Sequence, residues 1–438
     1  MTILFCKLNL NVRVRQVMCA LFSLRAALLM LLTVVCGGAV AQDRQRLQHL
    51  DYTAAELASF MAPGWNLGNT MEAGDNNNVF TDNAGLKAET AWQPNTVSKE
   101  LIKSVAKNGF KSIRIPVSWV MGHLADSKTM AVDRAWLARV RQIIDWSLES
   151  GLFVVVNDHW DGGWIEYDGF TDSAAVDVEK KRFAALWTTL ATAFADYDER
   201  LVFAGLNEPG VGGASPLAHG KKIDTKALAG RIVEYEQVFV DAVRKTGGKN
   251  SRRVLVVQGP NANINDTYNN LDLTTLHDTA DRRIMLEIHH YDPYQFTLMN
   301  KDEDWGRVWY YWPGLAPAGA ETQTVTEKVI EDIRKSMVSL KEKFVDHGIP
   351  VIIGEMGANH RIVSQGGSQQ LHDRSLARWY EFNVAEAVAN GLVPFVWDTG
   401  YTPRPCIALF DRKTGKVADS DMLQGVKAGM NAGRKGRK

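Results

Sequence analysis

The stretch "FAGLNEPG", residues 203–210, runs through small and apolar residues and then stops at an amide, a carboxylate and a proline. Short apolar runs of this kind recur at 64–67, 110–116, 152–157, 201–206, 253–257, 284–288, 350–354 and 392–396. Amphipathic patterns separate most of them, over 97–108, 133–150, 179–197, 225–246, 325–347 and 369–390, with a last helix expected over 421–432. The fifth connection, around 271–277, is short. Strands that are apolar almost throughout suit a parallel sheet covered on both faces. Eight strand–helix units in one chain therefore predict an α/β fold, a (β/α)8 TIM barrel in a single domain.

The chain has 438 residues, of which 45% are hydrophobic, enough for a sizeable core. Lys+Arg and Asp+Glu both number 50, so the balanced charge points to neither a nucleic-acid partner nor an anionic membrane surface. The N-terminus reads differently from the rest. Basic residues Lys7, Arg13 and Arg15 precede an apolar segment over 20–35, and Ala39, Val40 and Ala41 follow it. This is the pattern of a secretory signal with a small-residue cleavage site. Its apolar part is shorter than the roughly 20 residues a membrane span needs. Met18 would give a signal of ordinary length. The expected organisation is a signal peptide over 1–41 and a catalytic domain over 42–438, exported to the periplasm or the exterior, monomeric and without stable membrane association. Cys6, Cys19 and Cys36 fall within the signal, which leaves Cys406 alone. The mature chain then has no intramolecular disulfide and no Cys/His metal cluster.

Catalytic groups of such barrels project from the C-terminal ends of the strands. Six strands end in polar or aromatic residues: Arg114; Asn157, Asp158 and His159; Asn207 and Glu208; His289, His290 and Tyr291; Glu355; Trp397 and Asp398. Convergence of so many at one mouth predicts an active site there. Glu208 and Glu355 lie across that mouth, on the fourth and seventh strands. Two facing carboxyl groups are what glycosidic cleavage needs, one to protonate the leaving oxygen and one to stay ionised. This chemistry requires neither metal nor cofactor. Partial burial and the charge of Glu355 are expected to keep Glu208 protonated, and a guanidinium at Arg114 to keep Glu355 ionised.

The chain resembles glycoside hydrolase family 5, of the cellulase type, over essentially its whole length after the signal. The motifs are "NLGNT" (66–70), "RIPVSW" (114–119), "NEP" (207–209), "EIHHYDP" (287–293) and "FVWD" (395–398). The resemblance implies a retaining endo-β-1,4-glucanase acting by double displacement on cellulose or related β-glucans. It implies Glu208 as acid/base and Glu355 as nucleophile, supported by Arg114, His159, Asn207, His289 and Tyr291, with Trp397 as a platform under the sugar. One departure stands after the third strand, where "NDHWDGGW" (157–164) has Trp160 and Asp161 in place of a His-Glu pair common in relatives. That leaves the neighbouring subsite open.

Aromatic residues pack on pyranose faces, and the 13 Trp of the chain need such a use. Trp160 and Trp164 after the third strand, and Trp305 and Trp309 after the sixth, are the expected stacking residues, along a polysaccharide partner. The same loop holds Tyr310, Tyr311 and Trp312. The long polar segment 72–92 is expected to wall another subsite. Asp158, Asp398 and His290 are read as residues that orient or fill. β-Mannan or xyloglucan remain alternative substrates, since one hydroxyl orientation separates glucan from mannan. A non-catalytic sugar-binding barrel is the alternative of another class, which retention of both glutamates argues against.

Overall fold

The computed structural model describes residues 52–74, 85–165, 170–210, 223–363 and 366–437. The expected signal peptide and all of 75–84, within the polar segment 72–92, lie outside them. Eight parallel strands follow in chain order: β1 (Gly64–Asn66), β2 (Ser112–Ile115), β3 (Phe153–Asn157), β4 (Leu201–Ala204), β5 (Leu255–Asn263), β6 (Ile284–His290), β7 (Val351–Met356) and β8 (Val393–Val396). Each pairs with its sequence neighbours, and β1 closes on β8 through Gly64 opposite Phe395. The eight apolar runs thus form one closed barrel, and the residues of β2, β3, β4, β7 and β8 are buried throughout.

The helices have local causes. α1 (Ala54–Met61) opens with a capping box, in which the Thr53 side chain accepts from Glu56 N and Glu56 reaches back to Thr53 N at 2.7 Å. It covers the N-terminal end of the barrel: Ala54 N donates to Arg282 O just before β6, and Ser112 Oγ at the start of β2 donates to Met61 O at 2.5 Å. The alternation of strands and helices does not reveal this element, which precedes the first unit. α2 (Lys99–Lys107), α3 (Arg134–Glu149), α4 (Val176–Ala193), α5 (Thr225–Lys245), α6 (Ile264–Asn270), α7 (Glu327–Lys343) and α8 (Gln369–Ala389) line the outside of the strands. Ser98, Asp133, Asp224, Asn263, Thr326 and Ser368 cap six of them with their side chains. The short fifth connection is α6 followed by a turn of 3-10 helix, Leu273–Thr275. A hairpin of Leu124–Asp126 with Ala131–Val132 is inserted after β2. α9 (Ser420–Gly436) extends further than expected, through most of the basic tail, and Arg437 Nε donates to Val388 O on α8.

β5 runs past its neighbours. Its pairing with β6 breaks between Gln258 and Asn263, where Asn261 and Ala262 adopt positive φ. Asn261 N donates to Pro209 O at 2.8 Å, so this irregular edge braces the loop that carries Glu208.

Candidate active site

Buried polar side chains fill the C-terminal half of the barrel. Arg114 stands on β2, fully buried, with four partners. Its Nη1 donates to Glu355 Oε1 at 2.9 Å and to Asn66 Oδ1 at 3.1 Å; its Nη2 donates to Asn207 Oδ1 at 2.6 Å. Its Nε lies 2.8 Å from Glu287 Oε1, an ion pair at contact distance whose N–H is not aligned for a hydrogen bond. Asn66 is held in turn, its Nδ2 donating to Gly354 O at 2.8 Å. A planar, permanently charged fork can serve this many acceptors at once, and an ammonium cannot.

Glu355 ends β7. Besides Arg114 it accepts from the Tyr291 hydroxyl, at 2.9 Å on Oε2. Burial pushes the Glu355 carboxyl above the ordinary carboxylate range, while His289, Arg114 and the Tyr291 hydroxyl pull it back. Arg114, expected to keep this carboxylate ionised, does pull it down, but burial opposes the arginine, and His289 acts with it. The Tyr291 phenol is pushed well up by burial and by both glutamates, so it donates and stays neutral.

Glu208 differs from the expectation as well. Its side chain is 46% exposed, so burial does not distinguish it. Its neighbour is His289, whose Nδ1 lies 2.6 Å from Glu208 Oε1. The other ring nitrogen of His289 lies 3.3 Å from Glu287 Oε1. Burial works against a charge on His289, but Glu355, Glu208 and Glu287 outweigh it and raise the imidazole to about 10. His159 goes the other way, pushed well below the histidine range by burial and by the charges of Arg114 and His289. Its ring stacks on Trp397 at 6.2 Å and 11° between planes.

Single atoms of Glu208, Glu355 and His289 lie within 4.8 Å of one another. Among the described residues this is the one His/Asp/Glu group with metal-ligand spacing. Both Glu355 oxygens already have partners in Arg114 and Tyr291. An oxygen of each glutamate thus comes within 4.8 Å of the other, compatible with a retaining carboxyl pair about 5–5.5 Å apart. The two glutamates face a cleft of about 640 Å³ whose lining includes Asn69, Trp92, Tyr291, Trp397 and Tyr401. A Cβ at Gly68 would sit 2.7 Å from Trp397 Cζ2, so the glycine of "NLGNT" is what lets the indole settle.

The other sequence-predicted residues are absent from the lining of that cleft. Trp160 is half-buried and, with His159, Asn207 and Glu208, lines a small cavity of about 20 Å³. Trp164 is buried, its ring 6.2 Å from Phe183 of α4. It too lines that small cavity beside Glu208, from within the core, on the turn that begins at Asp161. The Asp161 carboxylate accepts from the backbone N–H groups of Trp119, Val120 and Met121, each at 2.7 Å, and pins the two loops together. On the loop after β6, Tyr311 and Trp312 are buried and Trp309 is half-buried. Trp305 is 63% exposed beside Tyr294, and the cleft lining includes neither Trp305 nor Trp309. Asp398 is a brace: it accepts from Trp65 Nε1 and from the N–H groups of Gly400, Leu409 and Phe410. His290 turns away to Asn383, and its ring stacks on Trp379. Sequence reading passed over Glu287, Gln258 and Asn66, although a polar residue inside an apolar barrel strand is itself a signal.

The model of the cellulase family, glycosyl hydrolase family 5, matches residues 74–402. The chain belongs to glycosyl hydrolase family 5. Among family 5 relatives, the xyloglucan-specific endo-β-1,4-glucanase of Bacteroides ovatus is 34% identical, over 87% of this chain and 71% of its own length. Endoglucanase A of Paenibacillus barcinonensis is 32% identical over 92% of this chain and 96% of its own. Among solved structures, a family 5 xyloglucan-specific β-1,4-glucanase from a ruminal metagenomic library, in complex with XXLG, superposes with a TM-score of 0.78. It is 37% identical and covers 87% of this chain and 97% of its own. The resemblance read from the motifs is thereby confirmed at the level of the family.

Proposed function

We propose that this cellulase-type glycoside hydrolase cuts β-1,4-glucans internally by double displacement, and that xyloglucan is among its substrates. Glu355 attacks the anomeric carbon while Glu208 gives a proton from one carboxyl oxygen to the departing sugar oxygen. The other Glu208 oxygen meanwhile accepts from His289. The C–O bond to the leaving group breaks as the Glu355–carbon bond forms, giving a glycosyl-enzyme. Glu208, now ionised, takes a proton from water, and the water displaces Glu355 with retention. Asn207, held by Arg114, is placed for the sugar 2-hydroxyl, where a hydrogen bond strengthens as charge develops.

The single observation that carries this reading is the Glu208–Glu355 pair across an open cleft, one carboxyl tied to Arg114 and Tyr291 and the other to His289. The xyloglucan part rests on relatives named as xyloglucan-specific. Reducing-end release from xyloglucan, mixed-linkage β-glucan, carboxymethylcellulose and mannan tests it. Turnover of β-1,4-glucans without turnover of xyloglucan would remove xyloglucan and leave the rest. No turnover on any of them would remove the whole.

Export and a monomeric state belong to the same proposal. The pattern of residues 1–41 supports export. Among the described residues no helix is long and apolar enough to cross a membrane. N-terminal sequencing of the exported protein and its mass in solution test these points.

A further inference from the structure

Beneath the catalytic layer, inside the barrel, lies a second carboxylate that touches no part of the cleft. Glu287 on β6 is fully buried. Three side chains hold it: Arg114 Nε at 2.8 Å from Oε1, His289 Nε2 at 3.3 Å from Oε1, and Gln258 Nε2, donating to Oε2 at 2.6 Å. The barrel is built around it. A Cβ at Gly354 of β7 would fall 1.8 Å from Glu287 Oε1, so only glycine leaves the carboxylate room. Gln258 also accepts from Leu206 N at 2.8 Å, the residue just before Asn207 and Glu208. One buried carboxylate thus meets the two cationic side chains that hold Glu355 and Glu208, and reaches the acid/base loop through Gln258.

We propose that Glu287 is a positioning residue, which orients His289 so that Nδ1 presents its hydrogen to Glu208 and fixes Arg114 so that both Nη groups meet Glu355 and Asn207. The inference rests on the roles given to Glu208 and Glu355 above. The tautomer argument is direct. A carboxylate only accepts, so Glu287 requires a hydrogen on His289 Nε2. With Nε2 protonated, Nδ1 can also carry a hydrogen toward Glu208 only if the ring is an imidazolium. Burial would raise Glu287 itself, but Arg114, His289 and Gln258 outweigh this and hold it below the ordinary range, so it stays ionised. Every charged or titratable group around His289 bears on this balance. Glu208 faces it from the loop after β4, Glu355 from β7 and Glu287 from its own strand. Arg114 of β2 and the phenol of Tyr291 bracket Glu355, and His159 after β3 lies within electrostatic reach. Three carboxyl groups against two cations make His289 dependent on each of them. Removing the Glu287 charge favours the neutral ring, so the imidazole then loses its proton at lower pH.

The test compares the full-length mature enzyme with Glu287→Gln and Glu287→Asp. In Glu287→Gln the alkaline limb of kcat/KM is expected to move toward acid by about one pH unit, the scale of one opposite charge in contact. kcat is expected to fall about tenfold at the alkaline side with KM within twofold, since orientation and not binding is lost. The ¹⁵N signals of His289 should titrate lower by the same amount. Glu287→Asp keeps the charge and should restore part of the alkaline limb. If Glu287→Gln does not fold, as judged by circular dichroism, the Asp variant and its His289 signals carry the test alone. An unmoved alkaline limb with unmoved His289 signals in a folded variant overturns the proposal. The histidine signals read Glu287 without reference to which glutamate is the nucleophile. Azide rescue of Glu355→Ala and Glu208→Ala reads the glutamate roles without reference to Glu287, so the two failures are distinguishable.

Discussion

Arg114 Nη1 lies 2.9 Å from Glu355 Oε1 while Nη2 of the same guanidinium lies 2.6 Å from Asn207 Oδ1. One rigid fork therefore sets the distance between the proposed nucleophile and the amide proposed to read the sugar. Arg114→Lys keeps the charge and loses the fork. Its kcat is expected to fall about 10²–10³-fold, as when a preorganised donor is removed from a developing charge. Circular dichroism should remain that of the wild type. A lysine variant with near-wild-type kcat would show that charge alone suffices.

The two glutamates should answer differently to a small anion. Glu355→Ala opens a space opposite the leaving group, and azide entering there is expected to restore activity with an inverted glycosyl azide. Glu208→Ala leaves the nucleophile in place, so azide should give a retained product, mainly with activated leaving groups. Product configuration by NMR decides between them, and swapped outcomes would exchange the two roles.

Tryptophans that looked equivalent in sequence should separate by where they sit. Trp397→Ala, on the cleft, is expected to cost about 1–3 kcal/mol of transition-state stabilisation, read from kcat/KM. Trp164→Ala, in the core against Phe183, should instead cost about 3–5 kcal/mol of folding stability, read from urea unfolding. Trp305→Ala, on an exposed rim, should alter KM for polymer only. Loss of short-substrate kcat in folded Trp164→Ala, with stability unchanged, would return that residue to the substrate.

His360 is expected to make stability depend on pH. It is buried, with Nδ1 against Asp419 Oδ2 at 2.5 Å and Nε2 against Asp373 Oδ1 at 2.7 Å, joining the loop after β7 to α8 and to the cap of α9. Burial opposes its charge, but the two aspartates outweigh this and raise it. A raised histidine contributes its full stability below the unfolded value of about 6.5 and loses it as pH rises through the folded value. Asp373 and Asp419 are held low, burial being outweighed by the histidine and their other donors, so their share is lost only as pH falls through those depressed values. The Tm gap between wild type and His360→Gln should therefore be widest between about pH 4 and 6.5 and narrow above it. A gap constant from pH 5 to 9 would mean that packing, not charge, holds this joint.

Much of the molecule follows from sequence because barrel strands obey a simple rule. A strand covered on both faces must be apolar, so "FAGL" can end in Asn207 and Glu208 only where the barrel opens. The same rule located Arg114, His289, Tyr291, Glu355 and Trp397 at that mouth, and the motifs around them carried the family. Polar residues that break the rule inside a strand stand out in the sequence, but what they meet was not legible. Glu287 and Gln258 occur on different strands, and only closure of the barrel brings them against Arg114, His289 and Gly354. Loop aromatics were illegible for the opposite reason. Nothing in their spacing says that Trp164 packs on Phe183; only the folded loop, whose Asp161 carboxylate collects three backbone N–H groups from another loop, shows it. Exposure of Glu208 was equally beyond sequence, since a residue just past a strand end can face the core or the cleft. The sequence by itself determined which strands exist and which reactive groups their ends carry, because periodicity and burial are local. The tertiary structure alone decided which charges meet beneath the site, because long-range pairs form only when distant strands close into one ring.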